Sequence, residues 1–396
     1  MKCEEHFAEL YRKEPAAVAF CPYRICPIGA HSDHNHGRIT GIAIDRGIYL
    51  AYAPKQNGVV ELCSLQFDKR AQWHVAEAPS TKQNDWADYL RGITLFLAAR
   101  YPLHVGLSGV IEGTLPIGGL SSSAAVTLVF LEALCRVNGI SLDPLEMIGL
   151  AVKTENAYVG VSSGKLDQSC EMFCQKNHLL YLDTLNDEYE LIPTAPAMAP
   201  YEIAIFFSGV ERTLAGSKFN MRVDECRSAA YALKAFAGME YGKFSETNLR
   251  EVPREVFEQY KDRLPELWRR RATHWYTEYD RVVAGAEAWR RGDIVEYGKL
   301  SFESGWSSIH NWETGSPELK AIYDIMTRTP GIYGGRFSGA GFKGCCMALI
   351  DPAYRESILQ QVETEYLAQF PDLRGKYQGV ICHSADGLAA LKGSLN

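Results

Sequence analysis

Apolar and β-branched residues dominate residues 17–27 (AVAFCPYRICP) and 38–53 (RITGIAIDRGIYLAYA), a pattern that predicts two strands. The polar stretch 28–37 interrupts it between them. Over residues 85–100 (DWADYLRGITLFLAAR), Trp86, Tyr89 and Ile93 recur at helical spacing and predict an amphipathic helix. A strand at 106–112 leads into Gly118-Gly119-Leu120-Ser121-Ser122-Ser123, and the apolar run VTLVFLEALCRV that follows is long enough for a buried helix. Asp143-Pro144 predicts another helix start, Asp as N-cap and Pro at the first helical position, running to about Tyr158 and ending at Gly160. Beyond it the pattern predicts a strand at 201–208, a helix at 218–240 and a mostly helical stretch from about 253 to 328. The chain closes on a strand (332–338), a glycine turn, a strand (345–350), a helix (352–369) and a strand (377–383).

The 396 residues exceed what one hydrophobic core serves, about 250–300 residues, so two packed halves are expected, 1–195 and 196–396. Composition is ordinary for a globular protein, 46% hydrophobic and 22% charged, and the net charge of -7 gives no footprint for nucleic acid. No run of like charge marks a membrane-binding segment, and no window approaches the roughly 20 apolar residues of a membrane span. The charged start MKCEEHFAELYRKEPAAV is unlike a secretory signal. The 11 cysteines, odd in number, scattered and without a C-x-x-C pair, read as reduced thiols and neither as a disulfide framework nor as a zinc site. A soluble cytoplasmic protein is expected.

Four polar segments carry candidate chemistry. Gly118-Gly119-Leu120-Ser121-Ser122-Ser123, between strand and helix, suits an anion, because glycines allow close backbone approach and the helix start presents free N–H groups. A glycine turn with serine caps would look the same. A second glycine-rich turn, Arg336-Phe337-Ser338-Gly339-Ala340-Gly341-Phe342-Lys343-Gly344, is by itself a generous hairpin loop. In Ile28–Gly37, His31, Asp33, His34 and His36 suit a polyhydroxylated ligand better than a metal. Asp167, after the turn Gly164-Lys165-Leu166 and preceded by Glu155, is either a site carboxylate or a helix cap.

The order of these segments resembles the galactokinase branch of the GHMP small-molecule kinases over nearly the whole chain. Tyr23-Arg24-Ile25-Cys26-Pro27-Ile28-Gly29-Ala30-His31-Ser32-Asp33-His34 is similar to the family's Gly-Arg-Val-Asn-Leu-Ile-Gly-Glu-His-Thr-Asp-Tyr segment. Pro116–Ala124 resembles its phosphate loop, Glu155 and Gly164–Gln168 its Glu-containing helix and Gly-Ile-Met-Asp-Gln turn, and Ser338–Cys345 its C-terminal glycine loop. Arg212, Ser217, Asn220, Arg222 and Cys226 sit in a further similar segment. Four ordered motifs are far more specific than one glycine loop.

The resemblance implies an α+β, two-domain fold: an N-terminal domain with the Gly-Ser phosphate loop, a ferredoxin-like C-terminal domain, and the site in the cleft. It implies ATP and Mg²⁺ as cofactors. Asp167 would be the base or acceptor for the C1 hydroxyl, and Arg24 would stabilise that carboxylate and the transferring phosphoryl charge. Ser123 and Glu155 would hold Mg²⁺. Gly118, Gly119, Leu120, Ser121, Ser122 and Ser123 would bind the phosphates, with Trp86 and Tyr89 flanking the adenine. Gly339, Ala340 and Gly341 would line the second loop, and Ala30, His31, Asp33, His34 and Phe219 would contact the sugar.

Three departures bear on substrate. The phosphate loop is one residue shorter than the family's Pro-x-Gly-x-Gly-Leu-Ser-Ser-Ser form. Phe219 replaces a tyrosine that reaches the sugar in galactokinases. Ala30 replaces a glutamate near the sugar's C6 hydroxyl, which removes a hydroxyl contact and makes room for a carboxylate on the substrate. The wording of the first and last motifs resembles the plant galacturonokinases more closely than galactokinases proper. The expected substrate is therefore galacturonate, with galactose next and glucuronate behind. His34, Arg212, Lys218 and Arg336 are candidates by type to hold the carboxylate. Arg24, Asp167, Ser123 and Glu155 argue against a non-catalytic sensor of the same fold.

Overall fold

The computed structural model describes residues 1–210 and 216–393. In chain order, α1 (Lys2–Tyr11) precedes β1 (Ala17–Ile25), β2 (Arg38–Lys55), β3 (Val59–Ser64) and β4 (Phe67–His74). Then come α2 (Asp88–Ala98), β5 (Gly106–Gly113), α3 (Ser122–Val137), α4 (Pro144–Lys153), α5 (Leu166–Phe173), β6 (His178–Asp183) and β7 (Tyr189–Pro193). The remainder runs β8 (Glu202–Phe207), α6 (Gly216–Phe236), α7 (Arg254–Tyr260), α8 (Glu266–Arg290), α9 (Ile294–His310) and α10 (Pro317–Arg328). It ends with β9 (Ile332–Phe337), β10 (Cys345–Ile350), α11 (Arg355–Gln369), β11 (Gln378–Cys382) and α12 (Leu388–Gly393).

Among the described residues, seven strands pair in the order β4-β3-β5-β2-β6-β7, with β1 on β2. The long strand β2 organises this sheet: its first residues pair with β6, its last with β5, and β1 runs antiparallel along it. The β1–β2 register shifts between Pro22 and Tyr23, where Gly47 lies against β1. A Cβ on Gly47 would lie 2.1 Å from the Cys21 carbonyl. The period of two then sets the faces. Leu50 and Tyr52 point into the main core with α3, while Ala51 and Ala53 pack beneath Cys3 and Phe7 of α1.

The second sheet is four-stranded and antiparallel, ordered β11-β8-β10-β9. With a helical crossover between β8 and β9 and α11 between β10 and β11, this is the ferredoxin-like arrangement. Every residue of β8 and β10 is buried. Ala204, Phe206, Cys346 and Ala348 face α10 and α11, while Ile203, Ile205, Met347 and Leu349 join the main core. The main core thus runs through both halves, with Trp289 and Tyr297 of α8 and α9 in it. A separate cluster joins α6, α7 and α8 around Trp275 and Trp312. The chain's end returns to the first half: Ala385 N–H donates to the Ala43 carbonyl at 2.9 Å and Gly387 N–H to Cys174 at 2.7 Å.

The predicted helix from Pro144 is α-helical only to Lys153 and widens into a π-helical turn over Thr154–Val159, ending at Gly160 with φ 89. No described helix is long and apolar enough to cross a membrane.

Candidate active site

Two glycine loops meet at the centre of the molecule. Gly118 and Gly119 have φ values of 139 and 89, and Ser121, the residue before α3, has φ 60. Side chains rarely adopt such backbone, and space excludes them as well. A Cβ on Gly119 would lie 2.6 Å from Cys345 Sγ and 3.0 Å from the Ser338 carbonyl. One on Gly339 would lie 3.0 Å from Gly119 Cα, and one on Gly344 would lie 2.8 Å from the Gly118 carbonyl carbon. Ser121 makes no side-chain cap, so the first N–H groups of α3 are left for an anion. Leu120 is buried in the main core and anchors the loop, leaving only its backbone to a ligand. Beside Ser122 and Ser123 opens a largely apolar pocket lined by Tyr23, Phe67, Trp86, Tyr89 and Val126. Phe67 and Trp86 stack there at 6.0 Å.

Arg24, at the buried end of β1, ties these parts together. Its Nε donates to Asp167 Oδ1 at 2.8 Å and its Nη2 lies 2.7 Å from the same oxygen. Its Nη1 donates to the Gly119 carbonyl at 3.1 Å and to Ser338 Oγ at 3.5 Å. Burial pulls the Arg24 pKa down, but Asp167 outweighs it and leaves it above its usual value. Asp167 stands in the first turn of α5, its side chain about a third exposed at 29%.

Three further carboxyls lie close enough to feel the Asp167 charge. Burial, then the Asp167 charge, pushes Asp33 up to about 6 and Glu155 up to about 7. The same causes hold Glu171, buried with neither oxygen partnered, well above the usual carboxyl range. Glu155 lies in the π-helical turn, where Ser163 Oγ donates to it at 2.5 Å, and Ser123 is near enough to help hold its carboxyl down. Among the described residues no group of three or more His, Cys, Asp or Glu side chains is arranged as a metal cage. Two oxygen donors, Ser123 and Glu155, beside crowded carboxyls suit Mg²⁺, which takes few protein ligands and fills its shell with water and phosphate.

The segment 28–37 closes the site. Gly29 has φ 107, and a Cβ there would lie 2.6 Å from Ile39 Cα. His31 takes a left-handed φ of 63, uncommon for a residue with a side chain and a form of strain frequent at functional sites. Asp33 Oδ2 accepts the Leu166 N–H at 3.1 Å, fixing this segment to the Asp167 turn. His31 and His34 pack near Phe219 at 6.3 and 6.0 Å. Burial lowers His31 well below its usual pKa and His34 to about 3, so both rings are neutral. Ala30 is buried, 7% exposed, and its carbonyl contacts His274 Nε2 at 3.0 Å.

Helix α8 supplies residues that the sequence reading missed. Glu278 Oε1 accepts the Gly29 N–H at 2.6 Å, and Ser304 and Arg336 bind the same carboxylate. His274 and Glu278 stand four residues apart on a buried face, so polar residues at helical spacing on an otherwise apolar stripe were the available signal. Arg336, a candidate for a substrate carboxylate, is instead committed to Glu278, Ser304, Ser308 at 2.8 Å and the Phe337 carbonyl at 3.0 Å. Lys218 is exposed, and Arg212 lies outside the described residues. Asn220 accepts the Ser162 N–H and donates to the Gly160 carbonyl, bracing the turn after Glu155. Trp312, fully buried, stacks on His31 at 5.0 Å.

The GHMP kinases N-terminal domain matches residues 87–175, the GHMP kinases C-terminal domain residues 286–369, and the galactokinase galactose-binding signature residues 5–54. The chain is 35% identical over 403 aligned residues to a galacturonokinase of Arabidopsis thaliana, covering 96% of this chain and 94% of that one. It is 30% identical to a galactokinase of Limosilactobacillus reuteri, covering 91% and 92%. The structure of Lactococcus lactis galactokinase complexed with galactose superposes with a TM-score of 0.87 at 28% identity, covering 97% of both chains. A mevalonate kinase structure shares the fold, with a TM-score of 0.64 at 18% identity over 94% of this chain and 100% of that one. With these matches and the two facing glycine loops, the chain belongs to the GHMP kinases and is an ATP-dependent sugar kinase of their galactokinase-related branch.

Proposed function

We propose that this chain is a galacturonate 1-kinase, transferring the γ-phosphoryl group of ATP to the anomeric C1 hydroxyl. Asp167 accepts the proton of that hydroxyl, and Arg24 orients the carboxylate and offsets charge on the transferring group. The uncapped start of α3 and Gly118–Ser123 hold phosphate oxygens, facing Gly339–Gly341. Trp86 and Tyr89 flank the base, and Ser123 and Glu155 hold Mg²⁺. A Mg²⁺ ion held there would supply positive charge against the phosphates. Residues 1–195 and 196–396 form the two domains, and the enzyme works in the cytoplasm. Positioning and electrostatics are what phosphoryl transfer chiefly requires of a protein.

Ala30 carries the choice of substrate. A glutamate there, as in galactokinases, would set a second carboxylate against the substrate's own. At about 4 Å and an effective dielectric near 20 the repulsion is roughly 4 kcal/mol. Water and salt in an open cleft reduce this, yet a third of it is still about tenfold in affinity. The sequence likeness to the Arabidopsis galacturonokinase supports the same reading. Ala30→Glu is expected to lower kcat/KM for galacturonate and raise it for galactose. A general folding defect cancels in the ratio of the two, so an unchanged ratio would return the chain to a galactokinase reading.

A further inference from the structure

Among the described residues, the buried ring nitrogens without partners in and beside residues 28–37 include Nε2 of His31, Nε2 of His34 and Nε1 of Trp312. They belong to one cluster. His31 lies parallel to Trp312 at 5.0 Å and 8°, His34 is 5.2 Å from Trp312, and Phe219 borders both histidines. Buried polar atoms are almost always satisfied, so a group of three orphans calls for an absent partner.

The hydrogen-bond pattern says which kind. Asn35 Oδ1 accepts the Leu249 N–H at 3.0 Å, which fixes its amide and turns Nδ2 toward His34 Nδ1 at 2.6 Å. Nδ1 of His34 therefore accepts, and the proton of the neutral ring sits on the unpaired Nε2. The indole Nε1 of Trp312 is a donor in any state. Donors without acceptors suit a carboxylate, whose two oxygens only accept.

The surrounding charge agrees. Immediately after Trp312, Glu313 is shared by Arg222, Arg270 and Arg271, and Glu225 by Arg222 and Arg271. Among the described residues, three guanidiniums meet two carboxylates, a surplus of positive charge, and Arg222 Nε has no partner. Arg222 follows Phe219 by one helical turn of α6. His34, like Ala30, also stands at a position where the galactokinase segment differs, with tyrosine in its place.

We propose that His34 and Trp312, with His31, form the subsite for the substrate's C6 carboxylate, backed by the surplus charge of the Arg222–Arg270–Arg271 network. This rests on the galacturonate reading above. It replaces a buried cation with neutral donors, which need not be stripped of water as ions before substrate arrives.

The test uses His34→Phe and Trp312→Phe, which keep an aromatic ring and remove the donor. The readouts are the galacturonate-to-galactose ratio of kcat/KM and galacturonate binding by calorimetry without ATP. Losing a hydrogen bond to a charged group is expected to lower the ratio at least about tenfold and weaken galacturonate binding in step. If Trp312→Phe does not fold, His34→Phe decides alone. Wild type preferring galacturonate while the variant ratio stays within about twofold of it would overturn the subsite and leave the reading. Wild type preferring galactose would overturn both.

Discussion

Asp167 and Arg24 show how little of the chemistry rests on any one side chain. The carboxylate alone is a first-turn helix residue; two bonds from a buried guanidinium aim it, and that guanidinium also reaches both glycine loops. Asp167→Asn keeps the shape and removes the charge. We expect kcat to fall about 10²–10⁴-fold, the usual worth of positioned proton transfer, with ATP binding retained. Stability should fall by up to about 3 kcal/mol, since Arg24 stays buried with a weakened partner, discounted because Asp167 is partly exposed. A variant keeping more than about a tenth of wild-type kcat, a barrier change under about 1.4 kcal/mol, would remove Asp167 as the base. At this scale the sequence was informative where a motif demanded a residue type, as at Arg24 and Asp167. It was silent on Trp312, His274 and Glu278, whose neighbours are distant in sequence and reach the site only through the packing of α8 and α9.

Among the elements, the π-helical turn Thr154–Val159 does the least predictable work. The Asp143-Pro144 start predicts a helix to about Tyr158, and a helix is there, but its last turn is wider and presents Glu155 to Ser163. Such widened turns recur at functional sites. Ser123→Ala and Glu155→Ala each remove an oxygen donor and are expected to raise the Mg²⁺ concentration needed for half-maximal activity. Magnesium titrations that superpose on wild type for both would contradict this assignment. The strands β1, β2, β5 and β8–β11 were legible because they are apolar runs, and α3 because its run is long. The hairpins β3–β4 and β6–β7 were not. Phe67–His74 carries polar residues through most of its length, and β7 is an exposed edge, so pairing with neighbours defines them where composition does not.

For the molecule as a whole, length and pattern implied two halves, but not the core they share nor the return of residues 383–387 to the first half. That shared core places ionisable groups inside, with consequences for acid stability. Burial lowers His274 to about 4, so between about 4 and the unfolded value of 6.5 the unfolded chain binds one more proton there. The stabilisation from keeping it neutral is complete above 6.5 and is lost as pH falls toward 4. His274→Gln should therefore cost most at neutral pH, and its deficit should shrink by about 1 kcal/mol per pH unit below about 6. Asp33 and Glu155, raised by burial, act in the opposite sense in both proteins and cancel in the difference. Urea denaturation at several pH values measures it, and a deficit independent of pH would contradict the burial of a neutral ring. Substrate choice is what the wild-type enzyme reports most directly. Steady-state kcat/KM for galacturonate, glucuronate, galactose and glucose under one set of conditions is the deciding measurement. The prediction is that galacturonate exceeds galactose at least about tenfold, the worth of one hydrogen bond to a charged group. A galactose value equal to or above that for galacturonate would contradict it.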